Sequence, residues 1–427
     1  MIRIQEQKIN DLLSYLAVFV AFFCATNGEL LYTKNTVVYY LPFLLCFAAL
    51  ALELIAKGKF KLTSYVVWRI ILIAFFFLAY VYAVNEAAAF ITIKKLLLQS
   101  VVVFLIDLKC TEDPNNIRQF IKLAAFAMFV NLVYLAKTVD MTALEEGERL
   151  GVSSVNEAWN ANQIGLMASL GAVMIFYVFF INAQNHKKLG KVFGVVLVAF
   201  FLIFVVLSGS KKSLIIIFVT LMVYLLGSSK SHKIRNIVIA IICAYGILYA
   251  LYNVPFLYEH LGYRFEELAD TVGGTGGDRS SRIRQHMIEV GLEAFSQKPI
   301  FGYGLNGFSQ VYGSISGTSV YSHNNYVELL VNTGIVGFLL YYGYVAGILF
   351  KKSVANKESA LFKAVLVALL VADVGMVSYA DPFCQYVLCI AICAIFKKPS
   401  SVPEREALQK NNATKEISLC RSKGSLK

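Results

Sequence analysis

The sequence predicts an all-α fold, a polytopic integral membrane bundle of about twelve transmembrane helices with both termini on the cytoplasmic side. Three observations lead there. Of 427 residues, 58% are hydrophobic and only 15% charged, whereas a soluble domain is nearer half apolar and about a quarter charged. One globular core cannot hide so much apolar surface, so lipid has to be the solvent for most of it. Apolar runs of span length recur along the chain, and basic residues fall in every second gap between them.

A span takes about twenty mostly apolar residues. Candidate runs occupy 11–27, 37–55, 65–84, 87–107, 118–137, 160–182, 190–208, 213–228, 236–253, 326–350, 359–379 and 382–396. The run from Leu12 to Thr26 lacks a small-residue cleavage site and reads as a first span, not a signal peptide. Arg3 and Lys8 precede it. Basic gaps then hold Lys57, Lys59 and Lys61; Lys109 and Arg118; Lys187, Lys188 and Lys191; Lys230, Lys233 and Arg235; and Lys351, Lys352 and Lys357. A tail opening on Lys397 and Lys398 completes the series. The intervening gaps are short, or long and acidic, as the positive-inside rule requires of a cytoplasmic start.

Topology thereby accounts for the net charge of +12 with no nucleic acid as partner. The organisation that follows is an N-terminal helical region 1–148, a core 149–350 with an external loop 254–325, C-terminal helices 351–396, and a disordered cytoplasmic tail 397–427. The cysteines lie mostly in apolar runs and none in the long external gaps, so no external disulfide framework is expected. Within the spans, Arg69 is expected to snorkel to the inner boundary. Lys94 and Lys95 point about 100° apart on a helix, so at least one should face the bundle interior.

The external loop has internal order. Gly273, Gly274, Gly276 and Gly277 form an approach with no following Gly-Lys-Ser/Thr, so they are not a phosphate loop. Asp278 or Ser280 then caps a helix through Arg282, Ile283, Met287, Val290, Ala294 and Phe295, whose spacing suits a helix lying along the membrane surface. Pro299 stops it, and Gly302, Gly304 and Gly307 make a tight turn. Next comes Ser322-His323-Asn324-Asn325-Tyr326-Val327-Glu328, leading directly into a span. A neutral imidazole there can serve as a general base, and a carboxylate just inside a span usually has a purpose; His, Asn and Asn are equally ordinary helix caps. Arg279, Arg282 and Arg284 crowd the start of the loop helix, Arg149 ends an acidic run, and Lys211 and Lys212 sit in a short external turn. Cations on that side run against the positive-inside bias. They suit either lipid headgroups or one specific lipid-linked phosphate.

Three stretches resemble the O-antigen ligase and O-antigen (Wzy-type) polymerase superfamily. Ser281-Arg282-Ile283 through Lys298-Pro299-Ile300-Phe301-Gly302-Tyr303-Gly304 is similar to its passage of an arginine, an aromatic and P-φ-φ-G-x-G. His323-Asn324-Asn325-Tyr326-Val327-Glu328 followed by Gly334 and Gly337 is similar to its H-[SN]-x-x-(L/V)-E and G-x-x-G motif. Leu207-Ser208-Gly209-Ser210-Lys211-Lys212 is similar to its (L/T)-x-S-R turn, with Lys211 where an arginine is usual. A weaker echo joins Arg149-Leu150-Gly151 to Asn160-Ala161-Asn162-Gln163. His286 stands where an aromatic is usual.

The resemblance implies a membrane glycosyltransferase that needs neither metal nor nucleotide cofactor. It acts on undecaprenyl-diphosphate-linked oligosaccharide at the outer face of the cytoplasmic membrane, in the biosynthesis of capsule, lipopolysaccharide or exopolysaccharide. By carry-over, Arg149, Lys211 and Arg282 hold the donor diphosphate, with Arg279 and Asn324 beside them. His323 takes the acceptor proton and Glu328 orients it. The leading expectation is polymerisation of repeat units. The alternatives are ligation of finished glycan to lipid A-core or another acceptor, and a flippase without chemistry. Binding of a chain-length regulator stays open.

Overall fold

The computed structural model describes residues 2–27, 36–58, 61–138, 149–150, 159–182, 188–228, 233–273, 279–351 and 357–396. The acidic segment 139–148, Asp278 and the tail 397–427 lie outside the described residues. Helices α1 (Ile2–Thr26), α2 (Thr36–Lys57), α3 (Ser64–Val81), α4 (Glu86–Glu112) and α5 (Asn115–Thr138) form the first part. They are followed by α6 (Ala161–Phe176, continued by a π-turn Tyr177–Ile181), α7 (Lys188–Leu207), α8 (Lys211–Gly227) and α9 (Lys233–Asn253). The loop region holds α10 (Tyr263–Gly273), α11 (Arg279–Gln297) and α12 (Gly307–Ser316). The chain then closes with α13 (Asn325–Phe350), α14 (Lys357–Ala372) and α15 (Pro382–Phe396).

The fold is all-α among the described residues. Among the described residues, nine helices are long and apolar enough to cross a membrane. The expected spans at 213–228, 359–379 and 382–396 appear as helices of 17, 16 and 15 residues. Against a usual span of roughly 17–25 residues, α14 and α15 fall below the range and α8 sits at its lower edge. The segment 359–379 breaks off at Ala372 because a turn through Asp373 and Gly375 intervenes. The three short helices pack together, α14 against α8 and α15. The joining turn 373–381 is consequently drawn into the bundle, with Asp373, Ser378 and Tyr379 all buried.

Two expectations are corrected. Arg69 does not snorkel: its side chain is fully buried and donates from Nε to Ser100 Oγ at 3.0 Å and from NH1 to Gln385 Oε1 at 2.8 Å. Arg69 faces into the bundle because Ser100 and Gln385, on α4 and α15, supply acceptors there. The loop helix α11 spends its apolar face, Met287, Val290 and Ala294, on protein rather than on a membrane surface. That face packs with Phe308, Tyr312, Val327 and Val331 of α12 and α13. Of the adjacent lysines, Lys94 is half-buried with its ammonium 6.0 and 5.9 Å from the rings of Tyr39 and Tyr40, while Lys95 is exposed.

Helix α13 is broken at Gly334, whose φ of 64° and ψ of −168° are non-helical. The passage Pro299–Gly302 runs into the break. Ile335 N donates to Pro299 O at 2.8 Å, Val336 N to Ile300 O at 3.3 Å, and Tyr303 N to Val331 O at 2.8 Å. A Cβ on Gly334 would lie 2.2 Å from Ile300 O, and one on Gly302 2.4 Å from Val331 O. Both positions therefore require glycine on steric grounds and on positive φ. Two motifs separated in sequence are thus two halves of one structure.

Candidate active site

The site is built around the link from α12 to α13. Asn324 is the N-cap of α13: its Oδ1 accepts from Tyr326 N at 3.0 Å and Val327 N at 3.1 Å. Glu328, one turn in, reaches back, and its Oε2 accepts from Ser322 N at 2.8 Å while Oε1 accepts from Asn332 Nδ2 at 3.2 Å. Ser322 Oγ donates to Asn324 O at 2.7 Å. These bonds clamp the residues on both sides of His323, which is held at φ 54° in the left-handed region. A non-glycine residue persists there, at a cost of order 1 kcal/mol, only where its surroundings over-determine it. The described hydrogen bonds of Glu328 run to Ser322 and Asn332, so its hold on His323 goes through the loop backbone.

The His323 ring lies 4.1 Å, centroid to centroid, from that of Tyr321. Burial pushes the imidazole down from 6.5 to about 4, helped by the neighbouring Arg284 guanidinium and Lys212 ammonium. It is therefore neutral at pH 7 and can accept a proton. Lys212 is half-buried and also lies within electrostatic reach of Asp373 and Asp381.

Asn325 ties this loop to the buried turn 373–381. Its N–H donates to Asp373 O at 2.8 Å, and its Nδ2 to Tyr342 Oη at 2.7 Å and Asp373 Oδ2 at 3.3 Å. Its Oδ1 accepts from Ser378 N at 3.0 Å and Tyr379 N at 3.1 Å. Tyr342 Oη donates to Asp373 Oδ2 at 2.8 Å. Burial lifts the Asp373 carboxyl to about 7 against the pull of these bonds and of Lys212.

A second cationic element adjoins the turn before α8. Arg149 donates from Nε to Ser208 O at 3.0 Å and from NH2 to Asn162 Oδ1 at 3.1 Å, and Ser210 Oγ donates to the same Asn162 oxygen at 3.2 Å. A Cβ on Gly209 would come within 3.2 Å of both Arg149 Cγ and Arg264 Nε.

Of the residues singled out from sequence, the structure brings His323 and Glu328 into one clamp and seats Arg149 on the turn that leads to Lys211. Asn324 has its side-chain oxygen committed to capping. Arg279 and Arg282 are exposed on α11. The arginine within electrostatic reach of the histidine is Arg284, and the lysine is Lys212. Helical periodicity carries a signal for the first: Arg284 lies about 60° round the helix from buried Met287, whereas Arg282 lies about 140° from it. Asp373 and Arg264 carried no local signal. Among the described residues no group of three or more His, Cys, Asp or Glu is placed to hold a metal ion.

Residues 196–342 match the family model for O-antigen ligase. This O-antigen ligase match covers about a third of the chain, from within α7 to within α13, and takes in the turn before α8, α11 and the His323 loop. It agrees with the superfamily that the motifs resemble. Arg149 and Asp373 lie outside the matched range. No curated protein matches the chain significantly.

Proposed function

We propose that this protein is a membrane glycosyltransferase that moves glycan from undecaprenyl diphosphate to an acceptor hydroxyl at the outer face of the cytoplasmic membrane. The observation that carries the reading is a histidine, His323, clamped in the left-handed region between Ser322 and Asn324, with two cations, Arg284 and Lys212, within electrostatic reach of it. In such a transfer the acceptor oxygen forms the new bond to the anomeric carbon as the bond to the diphosphate oxygen breaks. Negative charge then accumulates on the leaving diphosphate. Arg284 and Lys212, with Arg149 on the turn before α8, would stabilise that charge from fixed positions. The acceptor proton passes to His323 Nδ1 or Nε2. A bound diphosphate also offsets the two cations, which makes the histidine a stronger base once the donor is present.

Of the two transfers, the family description favours ligation of a glycan to a lipid A-core or another acceptor over polymerisation, which the sequence alone had put first. Deleting the gene separates them: loss of a ligase leaves acceptors bare while lipid-linked polymer accumulates, and loss of a polymerase leaves one repeat on each acceptor. The residue-level test is His323→Ala in a reconstituted transfer assay with a lipid-diphosphate-linked oligosaccharide. A fall in kcat of roughly 100-fold or more is expected for loss of a general base, and near-normal turnover would remove His323 from the chemistry.

A further inference from the structure

Arg69 is a cation buried in the bundle whose described partners, Ser100 and Gln385, are neutral. Its second terminal nitrogen, NH2, has no hydrogen-bond partner among the described residues. Replacing buried charged groups by apolar ones of similar volume is often neutral or stabilising, so burial alone gives no stability argument for retaining an arginine here. The consequence of the arginine lies in the direction of the hydrogen bonds it starts.

Arginine is a donor only. Facing it, Gln385 has to present Oε1, which turns its Nε2 toward Tyr341 Oη at 3.0 Å and Ser378 O at 3.1 Å. Ser378 is thereby held with its N–H toward Asn325 Oδ1 at 3.0 Å. At the far end Asp373 Oδ2 accepts from Asn325 Nδ2 and Tyr342 Oη. A pure donor at one end and a carboxylate at the other give the network one polarity. Flipping either amide would set donor against donor. Asn325 is two residues from His323, which itself holds the left-handed conformation. Every step from Arg69 to that loop is a hydrogen bond of 2.8 to 3.1 Å.

We propose that Arg69 is a positioning residue for the His323 site, acting through Gln385 and the 373–381 turn on Asn325. Its kinetic consequence rests on the transferase reading above; its structural consequence, the setting of the His323 loop, does not. No contact between Arg69 and substrate is involved.

Two substitutions separate positioning from plain structural support. Arg69→Met removes the donor and the buried charge together, freeing the Gln385 amide to turn. Gln385→Glu keeps an acceptor for Arg69, and pairs its charge, but deletes both donations to Tyr341 and Ser378. The full chain in lipid nanodiscs is assayed for donor transfer, for thermal stability, and for the rate at which diethyl pyrocarbonate modifies His323, read by peptide mass spectrometry. Both variants are expected to stay folded, to lose roughly tenfold or more in kcat with donor KM unchanged, and to change the His323 modification rate at temperatures well below their melting transitions. Arg69→Lys, which restores a donor, is expected to recover part of kcat. Wild-type His323 modification rates in Arg69→Met and Gln385→Glu would overturn the proposal, whatever the activity. If the wild-type protein transfers no glycan, the transferase reading fails, and the modification rates still decide the role of Arg69.

Discussion

Replacing Arg284 with glutamine removes one of the two cations beside His323 while leaving a polar side chain of similar length on the same face of α11. The imidazole is held at about 4 instead of 6.5, a difference of about 3 kcal/mol between its two protonation states. Burial is the largest cause, and Arg284 and Lys212 follow. Arg284 therefore accounts for less than half, at most about tenfold in the protonation equilibrium. Removing a cation favours the protonated form, so the sign is upward: His323 should titrate up to about one pH unit higher in Arg284→Gln. The acid limb of kcat/KM, which reports the free enzyme's base, should move by the same amount in the same direction. The assay is a pH–rate profile of glycan transfer alongside an NMR titration of labelled histidines, assigned by the loss of one resonance in His323→Ala. A limb that stays in place or moves to lower pH would show that Arg284 does not act on His323, and the site would have to be rebuilt around other cations.

Two further expectations follow from the same geometry. Gly334→Ala places a Cβ 2.2 Å from Ile300 O at a residue of positive φ, so it should destabilise the chain by about 1–3 kcal/mol, seen as a lower melting temperature; an unchanged melt would mean that the 299–302 passage is not anchored in the α13 break. Lys212→Met should raise the donor KM more than Lys211→Met, since Lys212 is the lysine beside Arg284 and His323; the opposite ranking in parallel kinetics would return the diphosphate contact to Lys211.

Much of the scaffold was legible in the chain. Span-length apolar runs specify helices because lipid offers the backbone no partners, and the wheel of Met287, Val290 and Ala294 specifies the buried face of α11. The motifs at 207–212, 281–304 and 323–337 marked where the site would lie. Asn324 was legible too, in its more ordinary role as a helix cap.

Other features were not legible because they depend on partners far apart in sequence. The fate of Arg69 was decided by a residue 316 positions away, and that of Asn325 by a turn 48 to 54 positions further on. A local reading sends an arginine near the end of a span to the membrane boundary; only the packed bundle reveals Ser100 and Gln385 as nearer acceptors. Similarly, composition could not choose between Arg282 and Arg284, or between Lys211 and Lys212. Adjacent cations carry the same charge, and helix orientation against α13 and the 373–381 turn selects which one meets the histidine. Hydropathy, periodicity and charge are local quantities, so the chain alone specifies a helical membrane protein with its histidines and many of its cations gathered in its loops. Folding selected Lys212 over Lys211, added Asp373 and tied in the buried arginine, because electrostatic reach and hydrogen-bond direction exist only between residues that packing has brought within a few ångströms.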